Sequence, residues 1–155
     1  MRTRAATACS LAAATLLTGC GLQAATQYTP ASAPADIQPI EGVAGEEIVV
    51  GSKNFTEQLI LGKIAVIALQ TAGFDVVDRT NIPGSVPARQ GMVNGEIDME
   101  WEYTGTAWLS YLGETAPIVD PLEQYEAVRD AELANGLTWL PPAEANNTYA
   151  FAVRS

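Results

Sequence analysis

The 155-residue chain contains no histidine. Without an imidazole there is no Ser-His or Cys-His nucleophile and no His-based zinc site, so the commonest hydrolytic chemistries are excluded. Cysteine is scarce too, with two residues, Cys9 and Cys20, and none beyond. The later chain therefore has no internal disulfide and no Cys-rich metal centre. Positive charge is thin: eight Lys and Arg stand against eighteen Asp and Glu, for a net charge of −10. Nothing here could neutralise a run of phosphates, which argues against nucleic acid as a partner. The Ala/Leu-rich run up to Leu16 holds only about a dozen apolar residues, too short to cross a membrane as a stable helix.

What that front end does have is an ordered set of export signals. Arg2 and Arg4 precede the apolar run, which closes in Leu17-Thr18-Gly19-Cys20. This stretch resembles the lipobox of bacterial lipoproteins, in which cleavage precedes the Cys and the new terminal Cys is acylated. Residues 1–19 are thus expected to be a lipoprotein signal peptide and Cys20 the lipid attachment site. The implied location is outside the cytoplasm, anchored by lipid to the outer face of the cell membrane. Losing Arg2 and Arg4 with the signal takes the charge from −10 to −12. Such a balance suits a cationic ligand, although acidic surfaces also serve solubility.

Residues 20–46 are rich in Ala, Pro, Thr, Ser and Gln without apolar period. They bury too little to offset the entropy of ordering and are expected to be a flexible tether. Folding is expected from 47 onward, a length sufficient for one modest core.

Within that part, "EEIVVGS" (46–52) predicts a buried strand. A helix is predicted over 54–73, with Asn54 and Glu57 at capping-box spacing and Gly73 at its end. "FDVVDRT" (74–80) predicts a second strand, and Ser85 is expected to cap a short helix to about Asn94. "GEIDMEWEY" (95–103) alternates, placing Ile97, Met99, Trp101 and Tyr103 on one face and Asp98, Glu100 and Glu102 on the other. By that parity Trp101 is assigned to the core and the acids to a solvated edge. A helix is then predicted over 104–112. Asp120-Pro121-Leu122-Glu123 caps another that stops at Gly136, and "LTWL" and "TYAFAV" predict closing strands. The βαβαβα order points to a parallel α/β sheet with ligands at the carboxyl ends of its strands.

Three stretches fall at such strand-to-helix hand-overs: Ser52-Lys53-Asn54, Pro83-Gly84-Ser85 and Tyr103-Thr104-Gly105-Thr106. Lys53, before a helix N-terminus, suits an anion such as a carboxylate. Thr106 and Ser85 could donate to the same anion, and capping accounts for either equally well. Tyr103, Trp101, Trp108, Tyr111 and Tyr149 offer aromatic faces. A tetra-alkylated ammonium has no N–H to donate, so ring quadrupoles are the means of holding it. Tyr103, last in its predicted strand, is the first place to look. Same-face acids spaced about 7 Å apart clamp one ion poorly, so no metal site and no catalytic carboxylate pair is expected.

"GSKNFTEQLILG", "NGEIDMEWEYTGTAWLSYLG" and "WLPPAEANNTYAFAV" resemble the substrate-binding proteins of osmoprotectant ABC importers, which carry glycine betaine, choline and similar solutes. The resemblance runs from about 47 to 155. It implies an α/β fold of the class II periplasmic-binding type, two lobes around a hinged cleft, with the ligand in a box of Tyr rings. Residues 47–145 would be the first lobe, a mostly parallel sheet flanked by helices. Residues 146–155 would be the hinge and the start of a second lobe that is largely missing. Carried over by motif, the ligand-binding residues would be Lys53, Tyr103, Thr106, Tyr149 and the backbone carbonyl of Asn147, with Ser85 a secondary candidate.

The expected function is that of a non-enzymatic, extracytoplasmic solute-binding subunit. It would deliver a quaternary ammonium ligand to an ABC permease/ATPase complex and use no cofactor. Two alternatives stay open: a binding protein of the same fold for another small solute such as an amino acid, and a structural surface lipoprotein.

Overall fold

The computed structural model describes residues 36–148 and 150–154. Cys20, Tyr149 and the predicted signal peptide lie outside the described residues. The elements in order are β1 (Glu47–Lys53), α1 (Thr56–Ala72), β2 (Asp75–Ile82), α2 (Ser85–Val93), α3 (Thr104–Thr106), a π-helical turn (Ala107–Tyr111), α4 (Pro121–Glu132) and a 3₁₀ turn (Leu133–Asn135).

β1 and β2 pair in parallel, Glu47 opposite Asp75 through Gly51 opposite Arg79, and the register then slips so that Lys53 faces Ile82. Asn81 absorbs the slip with a left-handed φ of 76°, and its N–H donates to Ser52 Oγ at 3.1 Å. α1 returns the chain between the strands and ends, as predicted, on Gly73, whose φ of 107° is one that a side chain would oppose. The core beneath it is built from Val50, Ala65, Val66 and Val76, with Ile48, Leu69, Phe74 and Met99 packed around them. A second cluster joins Ile82, Ala88 and Ile97. Ile97 sits against Gly51 and Gly91 so closely that a Cβ on either glycine would come within 3 Å of it.

The alternating 95–103 segment is not a strand. Met99 makes one parallel bridge to Val50, and Gly51 N–H donates to Met99 C=O at 2.9 Å, which puts this segment on the free edge of β1. Side chains then replace the ladder. Asp98 Oδ2 takes the Val49 N–H at 2.8 Å, Gln58 Nε2 donates to the Trp101 carbonyl at 2.9 Å, and Glu102 Oε1 accepts the Tyr103 N–H at 2.8 Å. With the Trp101 carbonyl and the Tyr103 N–H satisfied by side chains, residues 100–103 run irregularly rather than as an edge strand. Trp101 is half-buried, not core.

Two predicted caps are also replaced. α1 begins after Phe55 with no side-chain cap, and α2 after Gly84, so neither Asn54 nor Ser85 caps its helix. Asp120 does cap α4, accepting from the N–H groups of Leu122 and Glu123 at 2.9 and 3.0 Å. The helix predicted over 104–112 forms as α3 followed by the π-helical turn. Beyond Gly136 the described residues hold no strand, contrary to the two predicted there, and Phe151 and Val153 are exposed. Residues 36–46, inside the expected tether, run over the domain with Ile40 N–H donating to Ala72 C=O at 2.8 Å. No helix among the described residues is long and apolar enough to cross a membrane.

Candidate functional site

Lys53 ends β1, Tyr103 precedes α3, and Tyr111 closes the π-helical turn; these three converge. The Lys53 side chain is 2% exposed, and its ammonium is ion-paired to Glu102 Oε1. That nitrogen also lies 5.1 Å from the ring centroid of Tyr103 and 6.0 Å from that of Tyr111. The second Glu102 oxygen accepts from the Tyr111 hydroxyl at 2.9 Å. The Ser85 carbonyl is 3.4 Å from the same hydroxyl, so its single proton goes to the nearer, charged acceptor. Arg89 covers Tyr111 as well, with its guanidinium carbon 5.1 Å from the ring centroid.

Tyr103 is fixed at its other end. Its hydroxyl donates to Glu57 Oε1 at 2.8 Å, and the Asn147 side-chain amide donates to the same oxygen at 3.0 Å. Phe55 stacks near the Tyr103 ring, centroids 6.0 Å apart and planes 27° from parallel. Burial, and then the neighbouring carboxylates of Glu57 and Glu102, push the Tyr103 phenol up to about 12. Tyr111 is raised further, by burial first and then by Glu102. Both phenols are therefore neutral at physiological pH and serve as hydrogen-bond donors.

Charge behind the rings is distributed unevenly. Glu100 has one buried oxygen, Oε2, without a hydrogen-bond partner among the described residues. Burial, followed by repulsion from Glu102, pushes its carboxyl up to about 7, against a smaller opposing pull from Lys53 and Arg89. Arg89 is held from below by Glu132 Oε2 at 2.5 Å, a fully buried carboxylate.

Of the predicted residues, Lys53 and Tyr103 are brought together. Lys53, placed before a helix N-terminus as suited to an anion such as a carboxylate, meets one within the protein: its ammonium is buried and paired with Glu102. Asn147 reaches the group through its side-chain amide, by way of Glu57, whereas the sequence reading put forward its backbone carbonyl. Ser85 is near through its carbonyl, not its hydroxyl. Thr106 is half-buried at the end of α3 and makes no side-chain hydrogen bond among the described residues.

The residues that sequence reasoning passed over are the acids and their supports. Glu102 was assigned to a solvated edge and Glu57 to a cap. Gln58, fully buried one position later, ties α1 to the Trp101 carbonyl. A Gln on the inner side of an otherwise apolar helix was the available signal for it. A shallow apolar depression lined by Thr56, Leu59, Ile60, Lys63, Ile64 and Ile67 lies on α1.

The outcome is a buried ammonium set against two neutral phenol rings, with the Glu102 carboxylate as its counter-ion. Residues 46–155 match the family described as the substrate binding domain of the ABC-type glycine betaine transport system. The chain belongs to that family. It is 40% identical over 108 residues to the glycine-betaine-binding protein of Pseudomonas aeruginosa, covering 70% of this chain and 34% of that one. It is 34% identical over 113 residues to the glycine betaine-binding protein YehZ of Escherichia coli, 72% of this chain and 37% of YehZ. The solved structure of apo YehZ superposes with a TM-score of 0.63 at 31% identity, over 67% of this chain and 38% of that one. A 28% identical relative in Helicobacter pylori is named as an ergothioneine transport permease and binding protein. The family and the YehZ likeness establish an α/β lobe of a binding protein. The chain spans little more than a third of the two glycine-betaine-binding relatives.

Proposed function

We propose that the chain is the first-lobe part of an extracytoplasmic solute-binding subunit of an ABC importer. It captures glycine betaine, choline or a related quaternary ammonium solute at Tyr103 and delivers it to a membrane permease. The observation that carries this reading is the Lys53 ammonium lying 5.1 Å from the Tyr103 centroid and 6.0 Å from that of Tyr111. Those rings already accommodate positive charge, and a quaternary ammonium offers them the same interaction, at roughly 0.5–2 kcal/mol per face. In this reading Lys53 and Thr106 face the ligand carboxylate, with Ser85 secondary, and Asn147 and Tyr149 complete the cation side of a Tyr-lined cleft. Cys20 carries the lipid that keeps the protein at the membrane.

NMR titration of the chain with millimolar glycine betaine, choline, carnitine and proline tests the reading. Saturable shifts at Tyr103 and Lys53 with the three quaternary amines, and none with proline, are expected. Shifts with proline alone would favour the second reading, a binding protein of this fold for another small solute. For the lipid anchor, fatty-acid labelling should be lost in Cys20→Ser; labelling that persists would remove Cys20 from the proposal.

A further inference from the structure

We propose that Glu102 is a positioning residue that also sets the charge preference of this site. It holds the Lys53 ammonium against the tyrosine rings and cancels its charge, so that the rings admit a cation that carries no carboxylate of its own. The inference rests on the reading of Tyr103 and Lys53 as ligand-binding groups.

The geometry is that of one carboxylate serving three site elements. Oε1 takes the Lys53 ammonium and the Tyr103 N–H, and Oε2 takes the Tyr111 hydroxyl. β1, the start of α3 and the end of the π-helical turn are thereby locked to one side chain that is 11% exposed. A buried ammonium without its counter-ion would repel any cation brought to the same rings. With Glu102 in place the Lys53–Glu102 pair is neutral overall, and the site tolerates either a zwitterion or a simple cation. A bare ammonium would instead favour ligands that bring their own carboxylate. Neither Glu57 nor Glu100 substitutes for Glu102. Glu57 is bound to Tyr103 and Asn147 on the hydroxyl side, and Oε2 of Glu100 is buried without a partner among the described residues.

The test has two arms, both on the full chain. The first needs no ligand. The chain has two lysines, Lys53 and Lys63, so reductive methylation followed by mass spectrometry reports each separately. In the wild type, Lys53 should react at least ten times more slowly than Lys63. In Glu102→Gln, Lys53 should speed up about tenfold while Lys63 does not change. Equal acceleration of both would mean general loosening and would overturn the positioning role, as would an unchanged Lys53.

The second arm compares choline, which has no carboxylate, with glycine betaine, which has one. Glu102→Gln should weaken choline about tenfold more than glycine betaine. The double variant Lys53→Gln/Glu102→Gln, neutral again, should bring the ratio back toward that of the wild type. Equal losses for both ligands, or no return in the double variant, would overturn the charge role. A wild type that binds neither ligand would defeat the proposed function and the charge role together, and leave the positioning role to the lysine-reactivity arm. Should Glu102→Gln not fold, the double variant carries the second arm and Glu102→Asp carries both: Asp keeps the charge and should hold the wild-type ratio and a slow Lys53, and a shifted ratio in Asp would count against the proposal.

Discussion

The Tyr103 hydroxyl donates to Glu57 Oε1 at 2.8 Å across 46 residues of sequence, so the first turn of α1 sets the tilt of the ring that precedes α3. The two functions of this tyrosine are separable by mutation. Tyr103→Ala removes both the ring face and the hydrogen bond, and should weaken glycine betaine by roughly 1–2 kcal/mol, about 5- to 30-fold. Tyr103→Phe keeps the face and loses only the tether to Glu57, so its loss should be smaller. Calorimetry, or NMR where affinity is low, ranks the three proteins. Ala equal to wild type would return Tyr103 to a packing role.

Glu100 should make stability fall as pH rises through neutrality. Its carboxyl is held at about 7 in the folded chain against an ordinary value near 4.5, through burial and the nearby Glu102. Between those values the folded state holds a proton that the unfolded state has released, so stability decreases with rising pH and levels off above about 7. At about 1.4 kcal/mol per unit the whole effect is on the order of 3 kcal/mol. Glu100→Gln, permanently neutral, should therefore raise the thermal midpoint by roughly 4 °C or more near pH 8 and change it little near pH 5. A midpoint equally shifted at both values would show that Glu100 is ionised in the fold.

The Arg89–Glu132 pair supports Tyr111 from below and joins α2 to α4 at 2.5 Å. Arg89→Met leaves Glu132 buried with no counter-charge and should cost about 3–5 kcal/mol in urea unfolding. Adding Glu132→Leu removes the stranded charge and should recover most of that loss. A double variant as unstable as Arg89→Met would mean that packing, not charge, is what the pair contributes.

Gly62 is where α1 touches the sheet. A Cβ there would stand 2.8 Å from Thr80 Cγ2 and 2.9 Å from Ser52 Cβ. Alanine in a helix interior ordinarily gains up to about 1 kcal/mol over glycine. Here the crowding, typically about 1–3 kcal/mol, should win. Gly62→Ala is expected to lower the urea midpoint and to shift the amide signals of Ser52 and Thr80. A more stable variant would show that α1 can move away from the strands at little cost.

Local signals were legible in the sequence where a residue's role depends on its neighbours in the chain. Gly73 ends α1 because the turn needs a left-handed φ, and Asp120 caps α4 because its acceptor meets N–H groups two and three residues on. The β-branched runs became β1 and β2, with Lys53 at the end of β1; Tyr103 precedes α3, but without the strand that was expected to end on it. Alternation misled at 95–103, because parity cannot report that Asp98, Gln58 and Glu102 satisfy the backbone in place of a neighbouring strand.

What only the tertiary structure decided is the identity of charge partners. Lys53 lies 49 residues from Glu102, and Arg89 lies 43 from Glu132. In an isolated stretch each of these side chains reads as solvated, because water is the default partner of a charge. Folding withdraws the water, and each buried charge must then meet its opposite from another element. That requirement is met by the packing of β1, α2, α4 and the 100–111 segment together, a long-range outcome that no local pattern encodes.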